Sequence, residues 1–345
     1  MATLSDVAKL AGVSVSAVSR VLSNAPTARV SDRTRELIHR AVEELGYQPN
    51  FAARALRRAR TNAIAILVPD LTNAVFTGLM LGVNDAAWSR GYTVLIAREE
   101  TLEPHPELIR RLVGEGRVDG ILLQLGDATD MTVVDSLVES GAPAILINTM
   151  RDIPIGTVAL EDERAAGIAT QHLIDLGHRR IAMVGGLSRN DTAQRRSAGY
   201  HTAMDAAGLA TPPEWETWMG YTPDNGRAAL QRLWDLPERP TAIVAANVNG
   251  AIGLLGAAHR AGIRIPDELS IVSIHDVWFA DSTGPPLTTV RMPLYQMGVT
   301  AVAALHERIG GGELRHERVD GEPPVLVVRE STAPPPGSRK VRRRP

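Results

Sequence analysis

In the stretch GVSVSAVSRVL, residues 12–22, Ser16 and Arg20 stand four positions apart among small side chains. A helix turning about 100° per residue points Val18, Val21 and Leu22 to one side of this stretch and Ser16 and Arg20 to the other. Ala17 and Ser19 fall on the flanks, and Val15 sits near the helix start. Small outward side chains let a helix lie close against base edges, and a guanidinium offers a two-pronged donor to guanine or to a phosphate. A second stretch, YQPNFAARALRRARTNA at residues 47–63, places Leu56 between Ala53 and Arg57 in a basic run of helix-forming residues. Pro49 separates it from what precedes, Asn50 can cap it, and it is too short to hold as a helix alone. Bound to DNA and paired with a second copy, it can present Leu56 as an apolar wedge that opens a base step in the minor groove.

Residues for catalysis are harder to find. The chain has no phosphate-binding GxxxxGK[ST] or GxGxxG run, no HExxH and no GxSxG elbow. GGLSRND at 185–191 is the nearest glycine-serine loop, and it lacks the closing glycine. His172 and His178 lie six apart around Gly177, so they share no helix face for a metal, and there is no cysteine to add a thiolate. The expectation is a binding protein with no cofactor and no metal. A sugar-modifying enzyme and a periplasmic-type solute-binding protein are the alternatives. The N-terminus, MATLSDVAKLAG, has no basic region followed by an apolar run, so no secretory signal is expected and the cytoplasm is the default location. No run of apolar residues is long enough to expect a membrane span.

These side chains need elements to position them. Thr3 with Asp6 can box the start of a first helix whose apolar stripe is Val7, Leu10 and Ala11, ending at Gly12. Ser14 can cap the second helix. Ser31 can cap a third, with Leu37, Ile38, Ala41, Val42 and Leu45 facing inward and Gly46 as its stop. Two short helices joined at AGVS form a helix-turn-helix, whose second helix enters the DNA major groove. Charge agrees with a polyanion partner for this end alone. Residues 1–60 hold ten basic and five acidic side chains, a net of +5, and five more positives follow Ser338, which leaves −12 on the residues between.

From residue 61 onward, apolar runs alternate with helical stretches: AIAILV at 63–68, YTVLI at 92–96, GILLQL at 120–125 and AILIN at 144–148. A second series follows in IAMVGG at 181–186, TAIVAAN at 241–247 and SIVSIHD at 270–276. The fold class expected is a small all-α helix-turn-helix head followed by an α/β body of two doubly wound parallel-sheet subdomains, with a ligand cleft at the strand carboxyl ends. The expected divisions are a head at 1–46, a hinge helix or linker at 47–60, an effector-binding and dimerisation domain at 61–335 with several crossovers, and a basic tail at 336–345 without ordered structure.

The chain resembles the LacI/GalR type, the lactose-repressor family of bacterial transcription regulators. The resemblance rests on TLSDVAKLAGVSVSAVSRVL, TRELIHRAVEELGYQPNFAARALR, IAILVPDLTN, HLIDLGHRRIAMVGG, RPTAIVAAN, AGIRIPDELSIVSIHD and PPLTTVRMPLYQMG, and covers roughly residues 2–335. It implies a periplasmic-binding-protein-like body, a homodimer on a near-palindromic operator, and an effector that is a sugar or sugar derivative. Thr3, Val15, Ser16, Ala17, Ser19, Arg20, Asn24 and Arg29 are the candidate DNA contacts of the head. Ala53, Arg54, Leu56 and Arg57 are those of the linker.

Candidate effector contacts lie at strand ends: Asn73, Phe76, Gln124 and Asn148 in the first subdomain. The resemblance adds Arg196, Tyr221, Asn247 and Asp276 in the second. Amides, carboxylates, a guanidinium and an aromatic face suit a hydroxyl-rich ligand, although an asparagine at a strand end equally serves as a turn or cap. Two departures from the family pattern stand out. Val248 follows Asn247 where an acid is usual, and His275 precedes Asp276 where two acids are frequent. His275 could contact an acidic or differently substituted sugar and titrate near pH 6–7. The first helix of the body, FTGLMLGVNDAAWSRG, is expected at the dimer surface. The tail has no leucine heptad, which removes the usual argument for a tetramer, and its basic cluster adds a nonspecific attraction to DNA.

Overall fold

Thr3 closes the start of the first helix reciprocally: its hydroxyl accepts from the Asp6 amide at 3.3 Å, and Asp6 Oδ2 accepts from the Thr3 amide at 2.8 Å. That helix, α1 (Leu4–Ala11), ends at Gly12 in the left-handed region, φ 65°. Helix α2 (Val15–Leu22) begins where Ser14 Oγ accepts from the Ala17 amide at 3.2 Å, and α3 (Asp32–Glu44) where Ser31 Oγ accepts from Thr34 at 3.3 Å. The computed structural model describes residues 2–22, 30–47, 60–98, 110–126, 132–150 and 153–337. The chain divides into two compact units, residues 1–61 and 62–345.

The head core is Val7, Ala8, Ala11, Val18, Val21, Ile38, Ala41 and Tyr47. Three assignments change. Leu10 and Leu37, expected inside, are 46% and 43% exposed, while Ala8 packs in the core. The inward seam of α1 runs through Val7, Ala8 and Ala11, and on that geometry Leu10 lies more than a quarter-turn away. Tyr47, assigned to the linker, is buried and completes the head core. Residues 48–59 of the linker lie outside the described residues, with the candidate contacts Ala53, Arg54, Leu56 and Arg57; so do Asn24, Arg29 and the tail from residue 338.

The body holds two six-stranded sheets. The first takes β1 (Ala63–Val68), β2 (Thr93–Arg98), β3 (Gly120–Gln124), β4 (Ala144–Ile147), β5 (Gly156–Ala159) and β11 (His316–Arg318) in the order β11-β5-β4-β3-β1-β2, all parallel. The second takes β6 (Ile181–Gly185), β7 (Glu216–Trp218), β8 (Ala242–Ala245), β9 (Ser270–Ile274), β10 (Thr288–Arg291) and β12 (Val325–Val327) in the order β12-β10-β9-β8-β6-β7. Only β12, at the edge, runs antiparallel to its neighbour β10 among these strands. Continuous apolar runs such as AIAILV suit strands covered on both faces, and β1 is buried along its whole length.

Helices α4 (Phe76–Ser89), α5 (Thr132–Ser140) and α10 (Leu294–Ile309) belong to the first lobe; α6 (Asp162–Asp175), α7 (Asp191–Ala206), α8 (Pro223–Trp234) and α9 (Val248–Ala261) belong to the second. The chain passes between lobes after β5, after β10 and between β11 and β12. One apolar cluster runs from Ile64 and Leu122 through Ala165 and Leu173 to Ile181, Val244 and Val272, so the lobes share a core. No helix of the described residues is long and apolar enough to cross a membrane.

Candidate functional site

On the head, α2 turns Val18 and Val21 into the core and leaves Ser16 and Arg20 exposed, with Val15 44% exposed and Ala17 and Ser19 half-buried. Arg20 Nε donates to the Ser16 carbonyl at 3.2 Å, and the Ser14 and Ser16 hydroxyls lie 3.0 Å apart. Thr3 is exposed, but its hydroxyl is engaged with Asp6 at 2.7 Å, so its first duty is the cap.

The body encloses a cleft of about 640 Å³ at the carboxyl ends of the strands of both lobes. Of the candidate effector contacts, the first lobe brings Asn73, Phe76, Gln124 and Asn148 to it, and the second lobe brings Arg196, Tyr221, Asn247 and His275. Asp276 is elsewhere. Its carboxylate accepts from Thr289 Oγ1 at 2.8 Å, Arg329 Nη2 at 2.8 Å and Arg291 Nη2 at 3.0 Å, tying the end of β9 to β10 and to the segment after β12. Its neighbour His275 lines the cleft, and Asp276 does not. The cleft also gathers Asp70, Arg98, Arg189, Asp191, Thr192 and Asn249, none of which the sequence singled out.

The asparagines shape the strand ends as well as line the cleft. Asn247 caps α9, its Oδ1 accepting from Gly250 at 2.8 Å while Nδ2 donates to the Tyr221 carbonyl at 3.1 Å. Asn73 Oδ1 accepts from Val75 at 3.1 Å in an Asx turn. Asn148 sits at φ 54° and accepts from the Leu160 amide at 3.3 Å. His275, at φ 74°, is the other cleft residue held in the left-handed region, a strained placement for a non-glycine residue.

Beneath these lies a buried ionic floor. Asp162, at the start of α6, receives Arg196 Nε at 2.7 Å on one oxygen and Arg195 Nη1 at 2.5 Å on the other. Burial would raise the Asp162 carboxyl, but Arg196 and Arg195 outweigh it and hold the group below its usual range. Arg196 also donates to the Ala246 carbonyl at 2.5 Å and to His275 Nε2 at 3.3 Å, and its guanidinium lies 5.7 Å from the Tyr221 ring centre. Burial, then Arg196, push His275 down to about 3, against a smaller pull from Asp162. His275 is therefore neutral at physiological pH, and the expected titration near pH 6–7 does not occur. A guanidinium only donates, so Nε2 must accept and the ring proton resides on Nδ1.

Arg195 connects the lobes. From α7 it reaches Asp191 at 2.9 Å and the Leu160 carbonyl at 2.9 Å, and it donates to the Asn148 carbonyl at 3.2 Å beyond β4. Thr192 Oγ1 donates to the same carbonyl at 3.1 Å, and Asp191 Oδ2 accepts from the Met150 amide at 3.0 Å. The N-terminus of α7 is thus fastened to the first lobe at the back of the cleft.

A helix-turn-helix head followed by a two-lobed body with a cleft at its strand ends defines a ligand-responsive DNA-binding regulator. Residues 3–50 match the family of bacterial regulatory proteins, lacI family, and residues 170–332 match a periplasmic binding protein-like domain. The HTH-type transcriptional repressor PurR of Vibrio campbellii is 32% identical over 332 residues, covering 96% of this chain and 98% of the relative. A LacI family transcriptional regulator from Mycobacterium smegmatis superposes with a TM-score of 0.74 at 42% identity, covering 79% of this chain and 99% of its own. The lac repressor dimer bound to operator and the anti-inducer ONPF superposes with a TM-score of 0.81 at 26% identity, covering 96% and 99%. The chain belongs to the LacI family of bacterial regulatory proteins. The relatives are transcriptional regulators rather than enzymes.

Proposed function

We propose that this protein represses transcription in the bacterial cytoplasm as a homodimer on a near-palindromic operator, under control of a small effector, a sugar or sugar derivative, held in the body cleft. The observation that carries the reading is the division of α2, whose Val18 and Val21 hold the head together while Val15, Ser16 and Arg20 stay on the solvent face. In this reading α2 lies in the major groove, with Thr3, Ala17 and Ser19 beside those contacts. Arg20 gives the head its strongest single donor to a base or phosphate, because its neighbours on that face are too small to reach far. The residues after Tyr47 lead to the body, whose cleft residues bind the effector and perform no catalysis. Ligand in the cleft changes the angle between the lobes, and that change alters operator affinity.

Selection of bound duplexes from a random DNA pool, using the full chain with and without a metabolite panel, tests this reading. Enrichment of a two-fold symmetric site, with Arg20→Ala weakening the selected site about tenfold or more, is the expected outcome. A pool that yields no enriched site sinks it.

A further inference from the structure

The floor of the cleft holds a donor without a partner beside a carboxylate already paired on both oxygens. His275 is 4% exposed and lines the cleft, and its Nδ1, the atom that carries the ring proton, has no hydrogen-bond partner. A buried N–H without a partner costs free energy that a bound acceptor would recover. The nearest carboxylate, Asp162, is taken on both oxygens by Arg195 and Arg196, and the Ala246 carbonyl is taken by Arg196. Among the described residues the carboxylates that line the cleft are Asp70 and Asp191. Asp70 receives the amide and hydroxyl of Thr72 on Oδ1 at 2.8 and 2.7 Å, and Asp191 receives Arg195 and the Met150 amide on Oδ2.

A neutral hydroxyl placed at His275 could accept from Nδ1 but must also find an acceptor for its own proton, and Asp162 beside Arg196 already receives a guanidinium on each oxygen. An oxygen without a proton has no such need. The local field points the same way, because His275 resists a positive charge more strongly through Arg196 than Asp162 can offset. Arg98, at the end of β2 in the first lobe, and Arg189, after β6 in the second, are both exposed and line the cleft.

We propose that the effector carries an oxyanion, a carboxylate or a phosphoryl group, that accepts from His275 Nδ1, and that His275 selects it over the neutral parent compound. The inference rests on the reading of the cleft as the effector site.

Calorimetry and thermal shift on the full chain test it with glucose, gluconate, glucose 6-phosphate, ribose, ribose 5-phosphate, acetate and inorganic phosphate. At least one oxyanion should bind about tenfold or more tightly than its neutral parent, the difference expected of one charge-assisted hydrogen bond in a buried site. His275→Asn, whose amide can donate from nearly the Nδ1 position, should keep that affinity within about threefold, while His275→Ala and His275→Asp should lose about tenfold or more. Gluconate against glucose 6-phosphate distinguishes the two oxyanions. Neutral parents that bind as tightly as their acids, a panel in which no oxyanion binds, or an Asp variant that keeps oxyanion affinity each overturn the inference. The same samples are run on the selected duplex. A chain that selects DNA but takes only neutral compounds overturns the oxyanion and leaves the regulator standing; one that takes an oxyanion but selects no DNA does the reverse.

Discussion

At the scale of single residues, the decisive group is Asp162, which sequence alone reads as one more acid in a helix first turn. Two guanidiniums converge on it in a site where its side chain is fully buried. A buried pair of this kind adds little over a well-packed apolar substitute, yet removing one partner leaves uncompensated charge behind. Asp162→Asn therefore should destabilise the body by about 3–5 kcal/mol. All five tryptophans, Trp88, Trp215, Trp218, Trp234 and Trp278, lie in the body, so denaturant unfolding followed by their fluorescence reports this unit. Acid titration gives a second readout. The folded Asp162 carboxyl ionises below its ordinary value of 3.8, so its contribution is complete above that value and fades as pH falls through the lower, folded one. The wild-type body should hold its stability from pH 8 to about 7 and lose it increasingly in acid; below about 4, where the Asp162 share is lost, Asp162→Asn should lose less than the wild type. Equal acid losses in the two proteins would mean that other carboxylates set the acid limit. His275 adds an acid slope of its own: the folded body keeps it uncharged down to about 3, whereas the unfolded chain takes up the proton from 6.5 downward, so its contribution is full above that value and is lost as pH falls toward 3.

At the scale of elements, what the sequence discloses depends on how much each element states by itself. The caps Thr3, Ser14 and Ser31 and the stop at Gly12 are local chemistry, and each does what its residue type announces. Strands β1, β3, β4, β6, β8 and β9 are legible because a strand covered on both faces is a continuous apolar run, and β2 carries such a run at the sheet edge although most of it is exposed. Strands β5, β7, β10, β11 and β12 hold three or four residues each, and segments such as HER and ETW carry no such signature. Their pairing comes from the sheet beside them. The cleft follows the same division: strand-end Asn73, Asn148 and Asn247 are visible from strand positions, but the floor joins Asp162 to Arg195, 33 residues away, and only the fold brings them together. Helix pairing is equally hidden. A Cβ at Gly226 of α8 would stand 2.1 Å from the Gly250 carbonyl of α9, and that backbone atom cannot yield without parting the helices. Alanine is normally the better helix residue by about 0.8–1.0 kcal/mol. Gly226→Ala should nevertheless destabilise, by about 1–3 kcal/mol, through overpacking. Gly256→Ala in α9, where the nearest atom is an Arg260 side-chain nitrogen 3.6 Å away, should be neutral or stabilising. Equal effects from the two substitutions, in the same unfolding assay, would refute close packing as the reason for glycine at 226.

At the scale of the whole molecule, a basic N-terminal segment of +5 precedes a stretch of −12 up to Ser338, so attraction to phosphates is concentrated at the head while the body repels them. A regulator built this way needs its cleft to act on DNA affinity through conformation rather than through its own contact with DNA. Coupling between two such sites is typically about 1–3 kcal/mol, and it is reciprocal: operator must change effector affinity by the factor that effector changes operator affinity. Within the body, the fork of Arg195 is the structural feature best placed to carry that factor. It grips Asp162 and Asp191 of the second lobe and the Asn148 carbonyl of the first, so the lobes cannot turn past one another without releasing one side. Lysine keeps the charge at Asp162 but has a single nitrogen and cannot hold both lobes in a planar fork. Arg195→Lys should therefore leave operator affinity without effector within about threefold and reduce the coupling factor several-fold toward unity, measured both as operator affinity with and without effector and as effector affinity with and without operator. The two measurements must agree in each protein. A variant whose coupling factor matches the wild type would show that the lobes communicate through the shared apolar core rather than through this fork.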